Sequence, residues 1–191
     1  MLNVVLFGPP GAGKGTQSKK IIEKYKLVHI STGEILRREI AQNTAIGIEA
    51  SRQIDKGYYV SDEMAIQIIK NEIEKHKKAE GFIFDGFPRT IYQADELNTM
   101  LNAMGSKLNV MILLHVEENI LIERLLKRAE ESGRLDDQSE EIIKKRLKIY
   151  TERTEILKEY YKLAGKQESV YGIGKIDIIF EKICDIIERY R

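Results

Sequence analysis

Among its 191 residues the chain has no tryptophan, one cysteine, three histidines and three prolines. A single cysteine, Cys184, makes no internal disulfide and no cysteine-rich zinc site, so no structural zinc is expected. It lies in an amphipathic C-terminal stretch, where a small buried hydrophobe fits. Neither sign of charge dominates: 31 basic and 30 acidic residues leave a formal net charge of +1. Such a balance offers no broad basic field to nucleic acid or to an anionic membrane. No apolar run approaches the ~18 residues of a membrane span, and the apolar run 2–7 is too short for a signal-peptide core. The expectation is a cytoplasmic globular protein with no nucleic-acid or membrane partner.

What is present is a regular alternation. Apolar runs at Leu2–Phe7, Leu27–Ile30, Gly81–Phe84, Asn109–Val116 and Ser169–Tyr171 read as buried strands. Helical periodicity covers roughly 14–25, 32–43, 61–77, 90–103, 117–131, 138–164 and 175–190. Near-continuous apolar strands separated by helices predict an α/β fold, a five-stranded parallel sheet between two helical layers. Two segments break the alternation. Residues 31–60 hold a helix start, a second short helix at Ile46–Lys56 and a turn at Lys56-Gly57, but no strand. Residues 127–137 are polar and contain a glycine. Both read as inserts over the carboxyl edge of the sheet, where open α/β sheets bind ligands. This leaves 1–30, 61–126 and 138–191 as the core, 31–60 as one insert and 127–137 as a lid-like one.

Two of the three prolines fall in the most informative segment, Val4-Val5-Leu6-Phe7-Gly8-Pro9-Pro10-Gly11-Ala12-Gly13-Lys14-Gly15-Thr16. An apolar strand feeds a glycine-rich loop, and a helix follows. Successive backbone N–H groups and the positive end of the helix form an anion cradle, and glycines admit a phosphate without a Cβ in the way. Gly8, Gly13 and Lys14 fit the phosphate-loop pattern, but Gly15 takes the Ser/Thr position and Thr16 comes one residue late. The ligand class is a nucleotide polyphosphate. With no hydroxyl at position 15, Mg²⁺ is expected to be held through water, and Asp85, at the end of the strand Phe82-Ile83-Phe84-Asp85, is the candidate carboxylate.

Arg89 follows that strand directly, in Asp85-Gly86-Phe87-Pro88-Arg89. The lid-like segment adds Arg128 and Arg134, with Arg124 one helical turn before and Arg146 on the next helix. Arginines that close over phosphates neutralise charge and exclude water. No general base stands out. His29 and His115 lie in or beside strands, and His76 sits among lysines at a helix end.

Taken together these segments resemble the adenylate kinase family in its short-lid form, over nearly the whole chain. Gly8–Thr16 is similar to that family's phosphate loop, including the Gly-Thr after the lysine. Ser31-Thr32-Gly33-Glu34-Ile35-Leu36-Arg37 resembles its monophosphate-binding segment, Asp85-Gly86-Phe87-Pro88-Arg89-Thr90 with Gln93 its signature, and Arg134-Leu135-Asp136-Asp137 its short lid. The resemblance implies that Gly11, Ala12, Gly13, Lys14, Gly15 and Thr16 bind ATP phosphates. It implies that Arg128 contacts ATP, that Arg124 stacks on the adenine, and that the backbone of Gly174 lines its pocket. It places AMP against Thr32, Arg37, the backbone of Tyr58, Tyr59 and Val60, Gly86, Phe87, Pro88, Arg89 and Gln93, with Arg134 and Arg146 reaching phosphates. It further implies a monomer that takes ATP, AMP and ADP with Mg²⁺, the catalytic cations being Lys14, Arg37, Arg89, Arg128, Arg134 and Arg146. Three features depart from the family pattern. Tyr58-Tyr59 replaces a Gln/Arg-Leu type of pair, Ala129 replaces a glycine, and one residue is added between Asp137 and Arg146.

A site rich in arginine and poor in bases suits a phosphate acceptor, which is already anionic near neutral pH because its second pKa is ~6. A hydroxyl acceptor would need a base. Three rival readings remain, of which an inactive nucleotide-binding module is disfavoured because no expected charged residue is missing. A uridylate/cytidylate kinase is disfavoured by Thr32 and Gln93. A nucleotide-binding switch of the GTPase kind lacks its Asn-Lys-x-Asp guanine motif.

Overall fold

A computed structural model describes residues 1–191, with all side chains except those of Leu135 and Glu155. Five strands, β1 (Leu2–Phe7), β2 (Val28–Ser31), β3 (Gly81–Asp85), β4 (Val110–His115) and β5 (Gln167–Tyr171), form one sheet in the order β2-β3-β1-β4-β5. Every pairing is parallel. All six β1 residues are buried, as a central strand covered on both faces requires.

Side chains alternate across the sheet and build two cores. Val4, Leu6, Ile83, Ile112 and Leu114 pack on one face with Ile21 of α1 (Lys14–Tyr25), Leu121 and Leu125 of α6 (Glu118–Ser132) and Ile183 and Ile187 of α8 (Ile176–Tyr190). Val5, Phe7, Phe82, Phe84 and Met111 face the other way, toward α2 (Thr32–Ala41), α4 (Asp62–Lys75), α5 (Ile91–Ala103) and the second half of α7 (Glu140–Leu163). The result is three layers, as the strand–helix alternation predicts. Ends of elements move by two residues at most. The largest gain is at β5, which begins at Gln167 because the Lys166 carbonyl accepts from Met111 N at 2.7 Å and draws the polar Gln167-Glu168 into the ladder.

The 31–60 segment contains α2 and α3 (Ala45–Ile54) and, past Ser31 at the end of β2, no strand. Ser31, Thr44, Ser61, Thr90 and Ser139 cap their helices by accepting a backbone N–H three residues on. The 127–137 segment begins in the helix that the periodicity predicts through 131. Helix α6 continues to Ser132, Gly133 ends it at φ +63°, and Leu135–Asp137 forms a single 3-10 turn. Asp136 and Asp137 are both buried there. They are paired with arginines, which is why two adjacent acids settle in the interior.

Candidate active site

Strand order puts the loop after β1 where the chain's direction of travel across the sheet reverses, so its neighbours at the carboxyl edge come from both sides. Gly13 adopts φ +94°, a left-handed conformation, and hands the loop to α1. A Cβ on Gly8 would lie 2.8 Å from the Leu114 carbonyl oxygen, so the loop passes β4 too closely for any side chain. Lys14 opens α1. Its Nζ donates to the carbonyls of Gly8 (2.9 Å) and Pro9 (3.1 Å) and stands 4.0 Å from Asp85 Oδ1. The pairing Leu6↔Asp85 between β1 and β3 is what brings that carboxylate beside the loop.

The β2–β3 register aligns Ser31 with Asp85, so the residues just beyond each strand meet. Thr32 Oγ1 donates to the Gly86 carbonyl at 3.1 Å. Arg89 Nε donates to the same carbonyl at 2.7 Å, and its guanidinium lies 3.8 Å from the centre of the Tyr59 ring. Gln93 accepts from Arg89 N (2.7 Å) and donates to Asp62 (2.8 Å). Thr32, Arg37, Tyr58, Tyr59, Val60, Gly86, Arg89, Gln93 and Arg146, all expected around a monophosphate, line one cavity together with Asp136, whereas Arg134, also expected, does not line it. Phe87 and Pro88, also expected there, are buried and do not line this cavity.

Above the cavity, Asp137 is fully buried between two arginines. Arg128 donates to Asp137 Oδ2 through Nε at 2.7 Å and Nη2 at 2.6 Å. Arg146 Nη1 pairs with Asp137 Oδ1 and donates to the Asp136 carbonyl at 2.9 Å, while its Nη2 lies 3.0 Å from Asp136 Oδ2. Arg124 donates to Gly172 O at 3.1 Å and Gly11 O at 3.4 Å, tying the phosphate loop to the segment that leads to Gly174. Beside Gly174, at φ +117°, a Cβ would meet only open space.

The cations are close enough to feel one another. Burial pushes the Lys14 ammonium down to about 8; Asp85 opposes this, and Arg89, Arg128 and Arg146 add to it. Burial lowers Arg37, and Arg134 lowers it further. Arg134 is lowered by burial and then by Arg128. A crowd of like charges is unfavourable on its own and favourable around an anion of several charges. The three histidines take no part: His29 faces Glu34 at 3.6 Å, His115 packs on Tyr171, and His76 ends α4.

Two partners in the site carry no sequence signal. Asp62 reads as an ordinary first-turn acid of α4, 31 residues from the Gln93 it holds. Lys145, one of several α7 lysines, has its Nζ 3.7 Å from the centre of the exposed Tyr58 ring.

Fold and site define a phosphate-loop α/β protein with an arginine-lined cavity at the same carboxyl edge of the sheet. Comparison with known proteins makes this specific. Residues 6–166 match the family model described as adenylate kinase. Proteins named adenylate kinase from Bacteroides fragilis (50% identical, covering 98% of this chain and 99% of the relative), Parabacteroides distasonis (48%, 100% of each) and Flavobacterium psychrophilum (44%, 98% of each) are similar along their whole length. The chain belongs to the adenylate kinase family.

Proposed function

We propose that this protein reversibly transfers the terminal phosphoryl group of ATP to AMP, giving two ADP. One observation carries the reading: Lys14 of the phosphate loop feels Arg89 and Arg146, which line the neighbouring cavity, and Arg128, which shares Asp137 with Arg146, and no histidine lines the cavity among the described residues. Bringing two anionic phosphates into line needs charge neutralisation and alignment rather than a base.

In this reading Gly11–Thr16 cradle the ATP phosphates, with Lys14 as a point charge. Arg124 and the backbone of Gly174 border the ATP adenine, and Arg128 contacts ATP. Arg37 and Arg89 hold the AMP phosphate. Thr32, Gln93 and the backbone of Tyr58–Val60 and Gly86–Pro88 receive the rest of AMP. Arg134 and Arg146 reach the phosphates from above. Asp85, half-buried beside Lys14, is one carboxylate rather than a cage, which fits Mg²⁺ held mainly by nucleotide and water. When bound, that ion offsets phosphate charge. Residues 31–60 act as a monophosphate-binding insert and 127–137 as a lid on the remaining core, in a cytoplasmic monomer. The Gln93 amide, with a donor and an acceptor side by side, favours adenine over the uracil of a UMP/CMP kinase.

Replacement of the cations tests this assignment. Lys14→Met and Arg89→Ala are expected to cut turnover by ~10²–10⁴ with the fold retained, as for other phosphoryl-transfer cations. A variant that keeps more than about a third of wild-type turnover, far above this range, removes that residue from the mechanism.

A further inference from the structure

We infer that Asp62 sets the base selectivity of the monophosphate cavity by fixing which way round the Gln93 amide points. The inference rests on the AMP-site reading above. Gln93 is 3% exposed and lines the cavity. Its Oε1 accepts from Arg89 N at 2.7 Å, and its Nε2 donates to Asp62 Oδ1 at 2.8 Å. The other carboxylate oxygen, Oδ2, accepts from Thr90 Oγ1 at 2.8 Å, and that hydroxyl accepts in turn from Gln93 N at 3.2 Å. The four groups close a ring between the first turns of α4 and α5. Asp62 is absent from the cavity lining, so it acts through Gln93.

A primary amide can accept twice and donate twice. Arg89 N and Asp62 each take one of these, which leaves one acceptor site and one N–H for a base. Adenine presents a 6-amino donor beside the N1 acceptor. Hypoxanthine presents a 6-oxo acceptor beside an N1–H donor, the opposite order. An amide free to rotate half a turn would meet either base equally. Here a backbone N–H can only donate and an ionised carboxylate can only accept. Rotation would set Nε2 against Arg89 N–H and Oε1 against the carboxylate, two repulsive contacts in a buried place. Asp62 therefore supplies half of the lock that makes Gln93 read adenine.

The measurement is the ratio of the IMP inhibition constant to KM for AMP, with ATP-Mg²⁺ as donor. AMP and IMP share ribose and phosphate, so those contacts cancel in the ratio. Asp62→Ala is expected to lower it about 3- to 10-fold, mainly through a higher KM for AMP with a smaller change in kcat, the size expected for one net hydrogen bond. Asp62→Asn, which keeps one acceptor oxygen, is expected to fall between wild type and Asp62→Ala. Glu63→Gln removes an exposed acid from the same helix turn and is expected to leave the ratio unchanged. Thermal melts check that each variant folds, and if Asp62→Ala does not, Asp62→Asn carries the test. An unchanged ratio in a folded Asp62→Ala, or in Asp62→Asn where it stands alone, overturns the inference. So does a loss confined to kcat, which would make Asp62 a helix-capping acid only. Failure of the wild type to make ADP from AMP would instead remove the underlying reading.

Discussion

The guanidinium of Arg89 lies over the ring of Tyr59, 3.8 Å from its centre, while its Nε donates to the Gly86 carbonyl at 2.7 Å. The stacked face and the single hydrogen bond fix the group and leave its terminal N–H groups for a phosphate. A cation on an aromatic face is worth about 0.5–2 kcal/mol, depending on exposure. Tyr59→Leu is expected to reduce kcat/KM for AMP roughly 3- to 10-fold with little change in KM for ATP, on the scale of that contact. Tyr59→Phe keeps the ring and should stay near wild type. Steady-state kinetics decide, and equal losses in the two variants would show that the ring face does nothing for Arg89.

Lys14 makes a pH prediction with a definite sign. Its ammonium, held down to about 8 by burial, loses its proton at lower pH in the folded protein than in the unfolded chain, where lysine titrates near ~10.4. Between those values the unfolded state binds more protons, so this group's contribution to stability rises with pH and is least favourable below about 8. Lys14→Met should therefore gain stability relative to wild type at pH 7, and the gap should shrink by on the order of 2 kcal/mol by pH 10. Urea unfolding of both proteins at the two pH values measures this. A gap independent of pH contradicts it. Wild-type affinity for ATP should weaken as pH rises through about 8 for the same reason.

Asp137 holds two arginines from a fully buried position. Removing one partner of such a group leaves buried charge uncompensated, at a cost of about 3 kcal/mol. Asp137→Asn is expected to lower both the unfolding free energy and kcat, since Arg128 and Arg146 lose the group that aims them. A melting temperature and kcat both within error of wild type would show that the pairing is incidental.

The fold was legible because its signals are local. Continuous apolar runs, helical periodicity and the glycine loop each announce themselves within a few positions. Much of the site was legible for the same reason: Lys14, Arg89 and Gln93 sit at fixed offsets within two short segments. What stayed hidden depends on pairing across the chain. Asp62 serves Gln93 from another helix, Tyr58 and Tyr59 meet Lys145 and Arg89 only once α3 and α7 are packed, and Asp137 looks like a surface acid until its arginines surround it. Composition marks residues 127–137 as polar. Helical periodicity to residue 131 carries α6 into them, but nothing local shows that Asp136 and Asp137 are buried.

Gly47 tests whether 31–60 behaves as a unit of its own. A Cβ there would lie 2.2 Å from the Glu39 carbonyl oxygen, so α2 and α3 touch backbone to backbone. Gly47→Ala should force them apart at a cost of about 1–3 kcal/mol. If 31–60 is the monophosphate-binding insert, KM for AMP rises while KM for ATP is held. An equal rise in both would mean that the disturbance spreads through the core.

The most direct test is to incubate the protein with ATP-Mg²⁺ and, separately, AMP, UMP, CMP and GMP, and to follow nucleoside diphosphates. Formation of two ADP for each AMP consumed, with the other monophosphates much poorer acceptors and little ATP hydrolysed when no acceptor is present, is the predicted result. No transfer to AMP, or UDP or CDP formed in preference to ADP, would contradict the account.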